Sequence, residues 1–381
     1  MFDSEPLNIL YGVQATGNGH ITRSREIILA LKNRGHRVQT IVSGRAREDL
    51  WDMQAFEPFD VFEGLSFKTG HGRIKIMDTL LNARPLQMRK DIKDYEAEEI
   101  DLVIVDYEPI SARIAKRHNL PSIGIGHQYA FRHAIPQTSF NPVTRAFMEK
   151  FAPVDLGIGL HWHHFDSPIL PPIIPRLIPG DGVREKMILV YLPFEDDTRL
   201  IPILQKVDKL KFVLYTNSHA YGPFRNVFVK PLSRTTFRED LLVAEGVLCN
   251  SGFELPSEAL ALRKKLMVKP LKGQPEQVSN ALALEKMSLG MTTKEITPEA
   301  ILNWYHSTQQ DQIIFPNVVP DLVDWIEWGQ WDNASLNLLA KELWSRAKSI
   351  HSTAEHSSEY KKNYTAARVE ASSPLSFNLS T

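Results

Sequence analysis

Residues 247–290 read VLCNSGFELPSEALALRKKLMVKPLKGQPEQVSNALALEKMSLG, and this stretch decides the fold class. It begins as a short apolar strand, turns at Asn-Ser-Gly and continues as a helix that carries Glu254 and Glu258. A second apolar strand, residues 266–269, leads through a loop at 271–274 into another helix. Strand, polar turn and helix therefore occur twice in about 40 residues, which is typical of an α/β protein with a parallel sheet.

The polar residues of this stretch suit a nucleotide diphosphate. Helix N-termini have unpaired N–H groups and a partial positive charge, so they bind phosphate. The turn Ser251-Gly252-Phe253 opens such a helix. Glu258, one turn further on, can accept two hydrogen bonds from a ribose diol, as acids do in dinucleotide folds. An ordinary βαβ unit, whose polar residues only cap helices, has the same pattern.

A second strand–turn–helix unit opens the chain. Residues 7–13 form an apolar strand, the turn QATGNGH follows at 14–20, and a helix is predicted from about residue 21 to 34. The turn is not the GxGxxG dinucleotide fingerprint, because His20 follows the second glycine and Arg23 comes three residues later. A nicotinamide-dependent dehydrogenase is therefore disfavoured.

Both units resemble GT-B glycosyltransferases. The run from SGFELPSEALAL to the end of the 247–290 stretch is similar to the donor-binding half of the MurG-like, UDP-sugar-using branch and its related bacterial and archaeal proteins. The pattern GxGHxxR at residues 17–23 is similar to the first loop of its acceptor half. The resemblance implies two Rossmann-like domains that face each other across a cleft, with a C-terminal helix that crosses back to the first domain.

We predict five segments. Residues 1–167 form the acceptor domain, and the proline-rich residues 168–186 form a linker. Residues 187–330 form the nucleotide-sugar-binding domain, and residues 331–350 form the crossover helix. Residues 351–381 are expected to be a disordered tail.

The resemblance also implies the donor site. The diphosphate would rest on Ser251, Gly252 and Phe253, and Glu258 would hold the ribose. The sugar hydroxyls would face three polar residues of the next loop and helix, Gln274, Glu276 and Gln277. Asn280 either joins this set or only pins the helix start, and Glu254 either belongs to the site or forms a salt bridge.

Two candidate catalytic residues lie in the first domain. His20 either takes the proton from the acceptor hydroxyl as a neutral imidazole or only orders its loop. Asp106 ends the strand DLVIVD, where ligands of open α/β sheets gather, and is either a second base or the N-cap of the next helix.

The remaining cleft residues are expected near the acceptor. They are Gly17, Asn18, Gly19 and Arg23 in the first loop and His127 and Gln128 after the strand at 121–126. His127 is equally well interpreted as a loop histidine whose hydrogen bonds are satisfied within the protein.

A basic segment either meets a phosphate-bearing acceptor or a lipid surface, or is a solvated face; its residues are Lys68, His71, Arg73, Lys75 and Arg84.

No resident cofactor and no metal are expected. The sequence has no Asp-x-Asp motif, because Glu195, Asp196 and Asp197 are contiguous. The histidines at 161, 163 and 164 fit no standard metal-ligand spacing. A helix dipole and N–H donors can stabilise a leaving diphosphate without a metal.

Composition limits the partners. The 381 residues are 43% hydrophobic and 23% charged, with a net charge of −1, so no nucleic-acid partner is expected. The single cysteine, Cys249, lies in an apolar strand and indicates a reducing compartment. The N-terminal residues lack the pattern of a signal peptide, and no apolar run has the length of a membrane span. We expect a cytoplasmic protein, with peripheral contact at the inner face of the membrane left open.

The predicted function is therefore transfer of a hexose from a nucleotide sugar, such as UDP-GlcNAc, to an unknown acceptor hydroxyl. A GT-B-fold sugar-nucleotide epimerase would use the same cleft without an acceptor. A non-catalytic protein that binds a sugar nucleotide or a glycan would keep the donor site alone.

Overall fold

A computed structural model describes residues 5–50, 52–62, 69–70, 73–74, 85–138, 140, 142–175, 182–217, 220–307 and 311–350. Two seven-stranded sheets dominate these residues. Most residues of the basic segment and the whole predicted tail, 351–381, lie outside the described residues. Within the described part of the chain, no helix is long and apolar enough to cross a membrane.

The first sheet has the strand order β3-β2-β1-β6-β7-β8-β9, and all its neighbouring strands are parallel. Its central strand β6 is buried along its whole length, which explains the continuous apolar run of its sequence. The strands are Asn8–Gln14 (β1), Arg37–Ser43 (β2), Phe59–Phe62 (β3), Leu102–Asp106 (β6), Ser122–Gly126 (β7), Leu156–Leu160 (β8) and Ile169–Leu170 (β9); Thr69–Gly70 (β4) and Arg73–Ile74 (β5) form a separate antiparallel pair.

Among the described residues, five helices accompany the first sheet and belong to what we call the first lobe. They are Asn18–Asn33 (α1), Pro85–Asp94 (α2), Pro109–His118 (α3), His127–Ala130 (α4) and Pro142–Phe151 (α5). Helix α1 begins at the Asn of the GNG loop, three residues earlier than predicted. His20 therefore lies inside its first turn.

The second sheet has the order β12-β13-β11-β10-β14-β15-β16, in which only β12 is antiparallel to its neighbour. Its strands are Arg184–Tyr191 (β10), Lys211–Tyr215 (β11), Gly222–Phe224 (β12), Val227–Lys230 (β13), Ala244–Asn250 (β14), Lys265–Lys269 (β15) and Met291–Thr292 (β16). With helices Asp197–Gln205 (α6), Arg234–Val243 (α7), Glu254–Ala261 (α8), Pro275–Lys286 (α9) and Pro298–His306 (α10), they form the second lobe. Cys249 is buried in β14, two residues before the turn that opens α8.

The strand order reverses between β1 and β6 in the first sheet and between β10 and β14 in the second. Ligands of open α/β sheets bind at the carboxyl ends of the strands beside such a reversal. His20 follows β1, Asp106 ends β6 and Ser251 follows β14. The predicted site residues therefore lie at the two topological switch points, and the two-lobed α/β fold class is confirmed.

The chain ends by crossing back to the first lobe. Helix Val319–Trp328 (α11) packs on α1, and helix Asn333–Ser345 (α12) packs on β9. The indole Nε1 of Trp344 donates to the backbone oxygen of Ile169 at 2.6 Å. Strands Gln312–Ile314 (β17) and Lys348–Ile350 (β18) then pair antiparallel.

Two details differ from the predicted segments. Ile169 and Leu170, expected in the linker, form β9 and extend the first sheet. Helix α11, expected within the second domain, already packs on the first lobe through α1. Both differences arise because burial of apolar side chains continues across the predicted boundaries.

Candidate active site

His20 and Asp106 form a hydrogen-bonded pair. Parallel pairing of β1 with β6 sets Val13 beside Asp106, and the turn after β1 brings the first turn of α1 over that carboxylate. The His20 Nδ1 atom is 2.8 Å from Asp106 Oδ1. The His20 side chain is 14% exposed, whereas Asp106 is fully buried.

The Asp106 carboxylate receives three further hydrogen bonds. Arg23 donates from Nε at 3.0 Å and from NH2 at 2.6 Å, and Ser24 donates from Oγ at 2.8 Å. Burial opposes ionisation of Asp106, but the charges of Arg23 and His20 outweigh it and lower the pKa to about 2. Asp106 is therefore a carboxylate at physiological pH.

This carboxylate fixes the tautomer of His20. An ionised carboxylate only accepts hydrogen bonds, so the proton of a neutral His20 lies on Nδ1 and points at Asp106. The Nε2 atom then keeps its lone pair, and no described residue hydrogen-bonds to it. The pair therefore presents one oriented basic atom at the partly exposed edge of the lobe interface.

The interpretation of Asp106 as a helix N-cap is wrong. The side chain of Glu108 caps α3 instead, because it accepts from the backbone N–H groups of Ile110 at 2.8 Å and Ser111 at 2.6 Å. Asp106 is thereby left free for His20, Arg23 and Ser24.

Arg23 does not face the cleft as a ligand contact. Its guanidinium is 2% exposed and lies between Asp106 of the first lobe and Glu254 of the second, to which its NH1 donates. The alternative interpretation of Glu254 as a salt-bridge residue is therefore confirmed. The loop packs so closely here that a Cβ at Gly19 would lie 2.5 Å from Glu254 Cγ.

His127 is a satisfied, buried histidine, which corrects its interpretation as an acceptor contact. Its Nδ1 is 2.8 Å from the Leu160 oxygen and its Nε2 is 2.6 Å from Asn280 Oδ1. The ring stacks on Phe253, with centroids 4.1 Å apart and 4° between the planes. With both nitrogens bonded, the ring offers no polar atom to a ligand.

Asn280 is also a structural residue and not a sugar contact. It is fully buried, and its Nδ2 donates to the backbone oxygen of Ser251 at 3.1 Å. Together with His127 and Phe253, it joins the turn before α8 to the first lobe. The interpretation that Asn280 pins a helix start is the one its contacts support.

The donor turn is braced by its own side chains. Ser251 Oγ donates to the Gln277 backbone oxygen at 2.7 Å, and the Leu271 N–H donates to Gln277 Oε1 at 3.0 Å. Gly252, by contrast, has no atom within 4 Å of where a Cβ would stand. The turn is thus rigid, with open space at the glycine.

Several buried oxygens near the lobe interface have no hydrogen-bond partner among the described residues. They are Asn250 Oδ1, Glu254 Oε2, Gln274 Oε1 and Gln128 Oε1. Buried polar atoms are normally hydrogen-bonded. Gln128 also approaches the second lobe, because its Nε2 is 3.3 Å from Glu276 Oε1. These acceptors would suit the hydroxyl groups of a sugar.

Glu258 is half-buried on α8 and faces the groups around α1 and α7. Burial raises its pKa to about 7, the charges of Arg238 and Arg234 oppose this shift, and Glu26 reinforces it. Glu26 belongs to the first lobe and the two arginines to the second. Charged groups of both lobes therefore lie near Glu258.

A cavity of about 360 Å³ opens in the first lobe, near the residues that follow β6 and β7. Tyr107, which lines the cavity, directly follows Asp106 in the chain. Gln128 also lines it, and its Oε1 lies 3.3 Å from the point where a Cβ on Gly126 would stand. Asp106 Oδ1 lies 3.4 Å from the same position. The other lining residues are Tyr129, Phe131, Arg132, Phe140, Arg145, Met148 and Glu149. Of the lining residues, sequence analysis predicted only Gln128 as an acceptor contact, because the others come from separate elements without a shared motif.

The first loop is fixed by the second lobe as well. Asn18 Oδ1 accepts from Arg45 at 3.0 Å and also hydrogen-bonds with Tyr191 at the end of β10. Gly17 is the extended N-cap of α1 and has open space around it. Among the described residues, no three His, Cys, Asp or Glu side chains converge in a way that could hold a metal ion.

The chain therefore has two Rossmann-like α/β lobes with a His–Asp pair at their interface. The model of Glycosyl transferase family 1 matches residues 7–153 and 162–307. The chain therefore belongs to this family, and it is a glycosyltransferase that uses a nucleotide-sugar donor. No curated protein sequence matches the chain.

Solved structures share the fold across nearly the whole chain. The glycotransferase of kitacinnamycin is 16% identical with a TM-score of 0.58, covering 96% of this chain and 99% of that one. Arabidopsis thaliana UGT89C1 complexed with UDP-L-rhamnose is 13% identical with a TM-score of 0.55, covering 89% and 99%. LpCGTa in complex with UDP is 13% identical with a TM-score of 0.54, covering 95% and 99%.

Proposed function

We propose that the chain transfers a hexose from a UDP-sugar to an acceptor hydroxyl, with His20 as the general base. The observation that carries this proposal is the orientation of His20, whose Nδ1 is held by Asp106 at 2.8 Å at the lobe interface. In the transfer step, Nε2 takes the acceptor proton while the acceptor oxygen bonds to the anomeric carbon. The bond from that carbon to the diphosphate breaks, and the diphosphate leaves with the electron pair.

Asp106 has a supporting role in this step. As His20 gains a proton, the imidazolium lies 2.8 Å from a carboxylate whose pKa is held near 2 by its neighbours, so the new charge is stabilised at once. The second-base interpretation is not favoured, since a carboxylate with so low a pKa takes protons poorly.

The second lobe would bind the donor. Gly252 leaves open space at the N-terminus of α8, where a diphosphate gains N–H donors and the helix dipole. Glu258 would accept from the ribose, and Gln274 and Glu276 would accept from the sugar. UDP complexes of two structural neighbours are consistent with a uracil base. Leaving-group stabilisation by these dipoles supports transfer without a metal.

The acceptor would enter the cavity beside Tyr107 and Gln128. Its aromatic walls, which include Phe131 and Phe140, suit a flat apolar body. The GxGHxxR loop supports a resemblance of this half to MurG-like enzymes.

The test is a panel of UDP-sugars measured by thermal shift and by UDP release, for wild type and His20→Ala. We expect retained donor binding and a loss of transfer of about 10²- to 10⁴-fold in His20→Ala. Full turnover in the variant would remove His20 from the mechanism.

The same panel separates the rival functions. Isomerisation of a UDP-sugar without an acceptor would indicate an epimerase. Donor binding without transfer or hydrolysis in wild type would indicate a binding protein. A panel without a single thermal shift would contradict the proposed donor class.

A further inference from the structure

Glu254 is the one carboxylate of the second lobe that reaches the His20–Asp106 pair through a described contact. Arg23 NH1 donates to Glu254 Oε1, while Nε and NH2 of the same guanidinium hold the two oxygens of Asp106. Arg23 NH2 also lies 3.1 Å from His20 Nδ1. A continuous chain of contacts thus runs from α8 across the interface to the base.

We propose that Glu254 is a positioning residue that holds Arg23, so that the His20–Asp106 pair is fully oriented only when the two lobes are in contact. This inference rests on the proposed function of His20. Asp106 and Arg23 belong to the first lobe, whereas Glu254, the acceptor for Arg23 NH1, belongs to the second.

Among the described contacts, Glu254 Oε1 is the only acceptor for Arg23 NH1. Arg23 is 2% exposed, so water cannot replace Glu254 as an acceptor for NH1. A buried guanidinium with an unpaired N–H edge is costly, and it would move towards other acceptors. Any such movement disturbs Asp106, because Arg23 supplies two of its hydrogen bonds.

The backbone at Gly19 leaves room for the Glu254 side chain. Gly19 gives Glu254 its space, since a Cβ there would lie 2.5 Å from Glu254 Cγ. Burial raises the pKa of Glu254 to about 8, and the charge of Arg23 opposes this shift. Its Oε1 acts as a hydrogen-bond acceptor, which an amide of the same shape can replace.

The test compares Glu254→Leu with Glu254→Gln in the full chain, using UDP release from UDP-GlcNAc as the activity. Glu254→Leu removes the acceptor for Arg23, and we expect kcat to fall at least tenfold while the donor KM changes less than threefold. Glu254→Gln keeps an acceptor oxygen and should recover most of the lost kcat. Glu299→Leu makes the same change on the exposed first turn of α10 and serves as the matched control.

A second measurement does not depend on turnover. The ring nitrogen signals of His20 in ¹⁵N NMR spectra should report the Nδ1–H tautomer in wild type and in Glu254→Gln, and a tautomer mixture in Glu254→Leu. If wild type transfers no sugar, the proposed function fails, and the NMR comparison still decides the positioning role. Wild-type kcat in Glu254→Leu, an altered KM alone, or an unchanged tautomer would each overturn the proposal.

Discussion

Arg23, near the start of helix α1, and Arg34, at its C-cap, both reach another part of the chain. Arg23, in its second turn, is 2% exposed and bonds Asp106 and Glu254. Arg34, the C-cap residue, is 47% exposed and pairs with Asp324 and Glu327 on α11. The two side chains make similar contacts in very different surroundings.

The difference in burial decides what each arginine does. Water solvates Arg34 whether or not its partners are present, so its ion pairs contribute little to folding. The guanidinium of Arg23 is shielded from water and contacts two carboxyl groups. Loss of either group would leave buried charge uncompensated. The buried end of α1 therefore fixes geometry at the site, while the exposed end only adds to the contact between α1 and α11.

The largest effect is expected for Arg23→Met. The change leaves the Asp106 carboxylate buried with only His20 and Ser24, and we expect a loss of about 3–5 kcal/mol in the free energy of unfolding. Urea denaturation of wild type and variant measures it. A loss below about 1 kcal/mol would mean that burial does not distinguish Arg23 from Arg34.

An intermediate, pH-dependent effect is expected for Glu254→Gln. The folded-state pKa of about 8 lies above the ordinary 4.5. Between these pH values the folded protein keeps a proton that the unfolded chain has released, so wild-type stability falls as pH rises through this window. The amide does not titrate, and the variant should gain roughly 3 kcal/mol relative to wild type by pH 7.

Melting temperatures at pH 4.5, 6, 7 and 8 would measure this gain for Glu254→Gln. The exposed Glu299 provides the control, because Glu299→Gln makes the same substitution on the surface of α10. A flat difference for Glu254→Gln would show that its carboxyl is ionised throughout, as an exposed one is.

The smallest effect is expected for Arg34→Ala. We expect a loss below about 1 kcal/mol, because both charges of the Arg34–Asp324 pair are solvent-exposed. The loss should shrink further in 0.5 M salt, which screens exposed pairs. Denaturation at low and high salt checks both statements, and a larger, salt-independent loss would remove the contrast between the two ends of α1.

Local signals explain what the sequence predicted well. The apolar runs and polar turns located β1, α1, β14 and α8 to within a few residues, because each follows from nearest-neighbour chemistry. Asp106 was found by its position at a strand end, since the carboxyl ends of parallel strands meet at the site.

Contacts between distant residues carried no such signal. Arg23 and Glu254 are 231 positions apart, and nothing in either motif indicates that their side chains meet. His127 resembled a ligand contact because a histidine at a strand end is often one, but its two hydrogen bonds depend on Leu160 and Asn280. The strand β9 was missed because a two-residue strand between prolines has no periodicity to detect.

The position of Cys249 makes lobe movement unusually easy to follow. Burial raises the pKa of this thiol, and the sequence contains no other cysteine, so the native protein should resist thiol reagents. One cysteine introduced on the exposed surface of each lobe would therefore accept a fluorophore pair without removal of the native residue. Energy transfer between the dyes would then report how far the halves separate before a nucleotide sugar draws them together.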